Sequence, residues 1–183
     1  MTAAAHRPDP TTITIPTFEE GRLRYRAPRM DDFDLYADFR ASTRAKGVGG
    51  PYSRESAFDS LADIIGHWHL RGYGRWLIAD RDTDAPLGVV GLMYPFGWPE
   101  PEIAWSVFDA AEGKGIAFEA ACFSRRYAYG ALGWKTLVSC VLPDNARSAA
   151  LARRMGATQE GDFHHTDLGL LHVFRHQPAE ALQ

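Results

Sequence analysis

Cysteine is scarce in this chain of 183 residues: there are two, Cys122 and Cys140, far apart and in no CxxC or Cys/His pattern. That spacing excludes a zinc knuckle or a CxxC redox pair and leaves buried thiols in a reducing compartment as the expectation. Positive charge is not in excess either. Lys and Arg total 20 against 23 Asp and Glu, a net charge of −3, so the basic surface that binding a nucleic-acid backbone calls for is missing. No run approaches the roughly 18 apolar residues of a membrane span, and "MTAAAHRPDPTT" has no apolar stretch for a signal peptide. A cytoplasmic protein with neither a nucleic-acid nor a membrane partner is expected. Internal repeats and low-complexity linkers are also absent, consistent with one domain over 13–176 between loose ends at 1–12 and 177–183.

What is present suits a globular core: 45% of residues are apolar and 23% charged. "TITI" and "GRLRYRAP" alternate as short first strands. "MDDFDLYADFRAST" spaces Phe33, Tyr36 and Phe39 for one helical face, with Asp31 and Asp32 suited to its positive first turn. "AKGVGGPY" breaks that helix. Ser53 can cap the next one, "RESAFDSLADIIGHWHL", whose apolar side is expected to carry Phe58, Leu61, Ile64, Ile65 and Trp68. "RWLIAD" (75–80) and "APLGVVGLMY" (85–94) form a hairpin about "RDTD", and "PFGWPEP" leads into "EIAWSVF" (102–108). A helix over 117–132, a strand over 134–142, a helix over 144–157 and the pair "TQEGDF" and "LGLLHVFRH" complete the chain. This order predicts an α+β domain: a mixed, mainly antiparallel sheet with helices on its faces.

The stretch "AEGKGIAFEA" (111–120) starts a helix with two glycines, Gly113 and Gly115, although glycine is a poor helix former. A helix start leaves backbone N–H groups unpaired and carries partial positive charge. Glycines there let an anion approach the backbone, so strand, glycine turn and helix start make a candidate phosphate cradle. The alternative is a tight turn and nothing more. The spacing is not that of a P-loop, and Phe118 stands where a dinucleotide fingerprint needs its third glycine. "CVLPDNARSAALARRMGA" repeats the strand–turn–helix shape, with Asn145 at the capping position. If the two strands run parallel, both helix starts face one sheet end.

On these motifs the sequence resembles the GNAT superfamily of acyl-CoA-dependent N-acetyltransferases, and within it the RimJ/RimL type that modifies ribosomal-protein N-termini. The likeness runs from about Phe18 to Phe174 and is carried by "FEEGRLRYRAPRMDDFDLY", "GYGRWLIADRDTDAPLGVVGL", "EIAWSVFDAAEGKGIAFEA" and "VLPDNARSAALARRMGA". It implies that acetyl-CoA, with no metal, lies where two central parallel strands splay apart. Backbone groups of Ser106, Val107 and Phe108 would then pair with the pantetheine arm. The pyrophosphate would rest on the N–H groups of Gly113, Lys114, Gly115, Ile116 and Ala117, and Asn145 maps to the family's cofactor-contacting asparagine. Two departures stand out. Glu112 begins the phosphate motif where the family has Gln or Arg, and Ala152 occupies the place where many members carry a thiolate-protonating tyrosine.

The implied chemistry is direct transfer of acetyl to a primary amine, either a protein N-terminus or a small molecule. A neutral nucleophile requires loss of the ammonium proton. The family often sets its base where Glu102 stands; the plainer reading is an exposed carboxylate beside Glu100. Ser148, one turn into the helix capped by Asn145, is the candidate proton donor, or else a helix residue bonded to its own preceding turn. The N–H of a central-strand residue such as Val107 would polarise the thioester carbonyl. His67 and His69 do not share a helical face, and His164, His165, His172 and His176 are read as solvent-facing rather than as ligands. "YPFGWPE" and "AKGVGGPY" are expected to wall the acceptor site. An acyl-CoA-binding module without catalysis is the alternative function.

Overall fold

Residues 14–178 are described by the computed structural model of the chain. Eight strands form one sheet: β1 (Phe18–Glu20), β2 (Leu23–Arg26), β3 (Arg75–Asp80), β4 (Pro86–Met93), β5 (Glu102–Val107), β6 (Val138–Val141), β7 (Thr158–His165) and β8 (Gly169–Arg175). Their spatial order is β1-β2-β3-β4-β5-β6-β8-β7, and every neighbouring pair is antiparallel except β5 and β6. Four helices, α1 (Phe33–Ala41), α2 (Arg54–Arg71), α3 (Ile116–Arg126) and α4 (Ala146–Arg154), complete the α+β architecture.

The elements form where side-chain chemistry asks for them. Ser53 Oγ accepts the Ser56 N–H at 3.2 Å and starts α2, which Gly72 ends at a φ of 74°. The buried side of α2 is Ala57, Leu61, Ile64 and Trp68. Phe58 lies outside it, 47% exposed, because it meets Phe33 edge-on at the rim rather than the sheet. β3 is buried along Trp76–Ala79, as its unbroken apolar run requires, and each such large side chain contributes about 1.5–3 kcal/mol.

Register puts helices on both faces. Trp76, Val90 and Trp105 share one row of the sheet, and Arg75, Gly91 and Ala104 the adjacent row on the other face. Phe123 of α3 stacks on Tyr25 at 4.0 Å and meets Trp76 at 5.9 Å on the first face. From α1, Phe39 meets Phe108 at 5.8 Å on the second.

Several boundaries differ from the sequence reading: the helix expected over 117–132 is Ile116–Arg126 followed by a π-helical turn, Tyr127–Ala131, and the one expected over 144–157 is Ala146–Arg154. "TITI" lies partly outside the described residues, and Thr14–Ile15 form no strand. The expected strand over 134–142 is Val138–Val141 only, since Trp134 packs edge-on against Tyr73 at 4.7 Å before the chain joins the sheet. The "AKGVGG" break is a short 3-10 run, Thr43–Val48. Residues 1–12 and 179–183 of the expected loose ends lie outside the described residues. Among those described, no helix is long and apolar enough to cross a membrane.

Candidate active site

β5 and β6 pair at a single position, Glu102 with Val138. Beyond it side chains take over the bonds that a ladder would make. Glu102 Oε1 accepts the Cys140 N–H at 2.9 Å, and Ser139 Oγ donates to the Ile103 carbonyl at 3.0 Å. The strands therefore part immediately after Glu102, and the edge of β5 is left open. Antiparallel alternation says which groups face that opening. Phe108 N–H is committed to the Leu87 carbonyl on the β4 side at 2.8 Å. By the same alternation Ser106 is turned to β4, while Trp105 and Val107 present N–H and C=O to the gap. Of the three residues expected to offer backbone there, Val107 alone does so, and Trp105 is the one the sequence reading missed.

Glu102 is 5% exposed, so it is not the exposed carboxylate that the neighbouring Glu100 suggested. Its second oxygen accepts the indole N–H of Trp98, from the "YPFGWPE" segment. Burial pushes its carboxyl up to about 7, against the opposing pull of the Cys140 amide, the Trp98 indole and the Arg75 charge. Glu100, by contrast, pairs with Arg175 at 2.6 Å and Thr136 outside the cavity. Cys140 borders the same cavity, and burial together with the Glu102 charge pushes its thiol up, which makes it a poor nucleophile.

Asn145 caps α4 by accepting the Ser148 N–H at 3.1 Å. Ser148 Oγ accepts the Trp105 indole N–H at 3.2 Å and makes no bond to its own preceding turn, so its hydroxyl proton is free for the groove. The loop Thr43–Val48 passes closely over this cap: a Cβ at Gly47 would overlap the Asn145 amide. Ala152 is fully buried against Val141, Ala157 and Phe174, so a tyrosine in its place would have no room.

Gly113 and Gly115 lie in the left-handed region, at φ of 71° and 79°, where a side chain is strained. The N–H groups of Gly113, Lys114 and Gly115 make no main-chain hydrogen bond of normal geometry outside the helices and strands, and Ile116 and Ala117 belong to the first turn of α3, where a helix supplies its amides no partner of its own. Gly113, Gly115, Ile116 and Ala117 line a hollow between α3 and α4 together with Glu112, Phe118, Arg147 and Leu151, whereas Lys114, also expected there, is not among its walls. The Lys114 carbonyl accepts from Arg22, and Glu119 pairs with the same guanidinium at 2.6 Å, which braces the turn from outside. Glu112 is held by Arg44 at 2.7 Å and by Arg147, so its charge is answered before any anion arrives. Arg44 also donates to the Val107 carbonyl at 3.2 Å.

One continuous groove joins these parts. It runs from a cavity at Arg75, Glu102 and Trp98, past Trp105, Ser106, Asn145 and Ser148, to the hollow at Gly113–Phe118. Val48 and Gly47 wall its upper end, together with Leu168 from the turn between β7 and β8. Phe96, in the other expected wall segment, points wholly into solvent. The histidines do other work. His67 donates Nδ1–H to the Tyr73 carbonyl at 2.8 Å and accepts the Tyr94 N–H at 2.9 Å, tying α2 to β4. His176 is not solvent-facing but 1% exposed, because it closes the gap behind Ser139 at 2.8 Å; burial pushes it down to about 3. With Ser139 donating to Ile103, the neutral Nε2–H tautomer satisfies that contact.

Residues 22–158 match the family model described as an acetyltransferase (GNAT) domain. An acetyltransferase from Agrobacterium tumefaciens str. C58 is 36% identical, with 93% of this chain and 99% of that one covered at a TM-score of 0.82. Two further structures share the fold. Ribosomal-protein-S5-alanine acetyltransferase from Vibrio fischeri is 15% identical, with 91% and 98% covered and a TM-score of 0.67. Spermidine N-acetyltransferase from Vibrio cholerae, in complex with CoA and spermine, is 17% identical, with 88% and 99% covered and a TM-score of 0.69. By the extent of the family match and the Agrobacterium likeness, the chain belongs to the GNAT acetyltransferase family and is an acyltransferase.

Proposed function

We propose that this protein transfers acetyl from acetyl-CoA to a primary amine by direct attack. The observation that carries the reading is the groove along the open edge of β5, with a buried carboxyl near pH 7 at one end and the glycine turn and first turn of α3 at the other. The amides of Gly113–Ala117 suit a diphosphate, and Trp105 and Val107 offer backbone to an amide-bearing arm as a neighbouring strand would. The spermidine enzyme of the same fold is a complex with CoA, which supports acetyl-CoA as the donor.

Acetyl-CoA supplies the thioester whose C–S bond breaks as the C–N bond forms. Glu102 takes the amine's proton, a role suited to a carboxyl whose pKa sits at working pH. The Trp105 N–H, on the gap edge nearer Glu102 than the Val107 N–H expected from the sequence, donates to the carbonyl oxygen where negative charge develops, while Val107 faces the arm. Ser148 hands its hydroxyl proton to the departing sulfur and recovers one from solvent in the groove. Glu102 has a structural part in accepting the Cys140 N–H, but binding alone would not call for a carboxyl raised to about 7 on the wall of the cavity, so catalysis is the better account. The fold neighbours include enzymes named for ribosomal proteins and for spermidine, which supports a primary amine as acceptor, whether of a protein N-terminus or of a small molecule.

The test is thiol release from acetyl-CoA over a panel of amines, repeated with Glu102→Gln and Ser148→Ala. Glu102→Gln lowers kcat by about 10²–10⁴-fold if it removes the base. Wild-type rates in both variants across pH would refute these roles, and tight CoA binding without turnover on any amine would refute transfer.

A further inference from the structure

Among the described residues, every arginine but one has an ion-pair partner, a carbonyl or an aromatic ring against its guanidinium. The exception is Arg75. It is only partly exposed and lines the cavity that holds Glu102 and Trp98. A cation that lines a cavity without a counter-charge in contact leaves its guanidinium fork open to an anionic group entering there.

The sheet register explains how it gets there. Arg75 on β3 lies in one row with Gly91 on β4 and Ala104 on β5, and Glu102 lies two residues from Ala104 on the same face. Gly91 and Ala104 leave that row low, so a long side chain from β3 can lie across β4 towards β5. At Gly91 there is no room for more, since a Cβ would stand 2.7 Å from the Arg75 Cα. The charged and titratable neighbours that reach Arg75 are Tyr36 and Arg40 from α1, Asp63 from α2 and Glu102. Neither acid is in ion-pair contact with it. Arg40 is itself engaged, donating to the Val48 carbonyl at 3.0 Å and lying 3.9 Å over the Tyr52 ring. Burial lowers the Arg75 pKa, as expected of a cation in a hollow short of counter-charge.

We propose that Arg75 receives a carboxylate of the acceptor, so that the amine acetylated here belongs to a small amino-acid-like molecule. The inference rests on the transfer reading above and sharpens it: the amine lies towards Glu102 while the guanidinium fork takes the carboxylate on the same face. The same cation repels a polyamine, whose second ammonium would enter the end where Arg75 has no counter-ion.

The test compares acceptors that share an amine and differ in one group: free amino acids, their amides and their decarboxylated amines. The wild-type protein is expected to favour the free acid about 10- to 100-fold in kcat/KM. Arg75→Met is expected to bring the ratio of acid to amide kcat/KM close to one, whatever it does to the rate common to both, and Arg75→Lys restores part of that ratio. Amides or decarboxylated amines used as well as the acids, as a peptide N-terminus would require, overturn the inference and leave acetyl transfer standing. A second readout needs no turnover: calorimetric binding of N-acetyl amino acids, the expected products, in the presence of CoA. Binding by wild type and not by Arg75→Met, with no amine turned over, supports the anion site and refutes transfer. Equal binding by wild type and Arg75→Met overturns the site.

Discussion

The indole N–H of Trp98 donates to Glu102 Oε2 while the Cys140 amide donates to Oε1, so the one buried carboxyl of the groove is held at both oxygens. Both bonds favour the ionised form, and burial opposes them and wins. With Glu102 as base, kcat/KM should rise through about pH 7 and then level off. Trp98→Phe removes a donor to the carboxylate, which is worth roughly 1.5–3 kcal/mol, and should move that midpoint upward by about one pH unit or more. A pH profile of initial rates in the two proteins measures it. An unmoved midpoint would mean that the titrating group is not Glu102.

The same raised pKa bears on folding, with a definite sign. The folded state binds a proton at Glu102 between about pH 4.5 and pH 7 that the unfolded chain has released, so stability falls as pH rises through that window. Full ionisation costs roughly 3 kcal/mol by pH 8. Glu102→Gln removes the titration, but its amide must face the Trp98 N–H, a loss of about 1 kcal/mol. The variant's melting temperature relative to wild type should therefore climb with pH, gaining about 5–10 °C between pH 4.5 and pH 8. Parallel melting curves would contradict the assignment of the buried charge.

Much of this was legible in the residues. The helix–hairpin–strand order, the glycine turn at 113–115 and the Asn145 cap follow from local chemistry: capping, backbone freedom and alternation act over a few residues. Glu102 was legible as a candidate but not as buried, because burial depends on the gap between β5 and β6, and that gap depends on Ser139 and His176, distant in sequence. The backbone register was also hidden. Which of Trp105 to Phe108 faces the gap is set by pairing with β4, which a single strand's sequence does not state. Arg75 carried one signal, a charge heading an apolar strand, but its isolation emerges only once every other arginine among the described residues has found its partner.

Glu112 looked like a defect beside a phosphate site, yet it joins Arg44 and Arg147 across the mouth of the groove. Its carboxylate cancels part of two cations that an incoming diphosphate would otherwise meet. Glu112→Gln should therefore tighten CoA binding by about 3- to 10-fold at low ionic strength, with a steeper loss on adding salt. Arg147→Ala should do the reverse. Calorimetric titration of CoA at two salt concentrations checks both. Weaker binding by Glu112→Gln would show instead that the carboxylate aims the arginines and that their orientation outweighs the charge removed.

The glycine turn allows backbone strain to be separated from ligand contact. Nothing lies within 4 Å of a Cβ added at Gly113, whereas at Gly115 it would meet the Glu119 carboxylate and the Arg22 guanidinium at 3.6 and 3.8 Å, an ordinary contact. Gly113→Ala thus costs the free protein only the left-handed strain, about 1 kcal/mol, visible as a small drop in melting temperature. If the N–H groups of 113–117 hold a diphosphate, the same methyl group stands beside the ligand, and CoA affinity should fall at least tenfold, well beyond what the stability change explains. Dephosphorylated pantetheine, which makes no use of the cradle, should bind wild type and Gly113→Ala alike. A variant that loses stability but keeps its CoA affinity would move the diphosphate away from this turn.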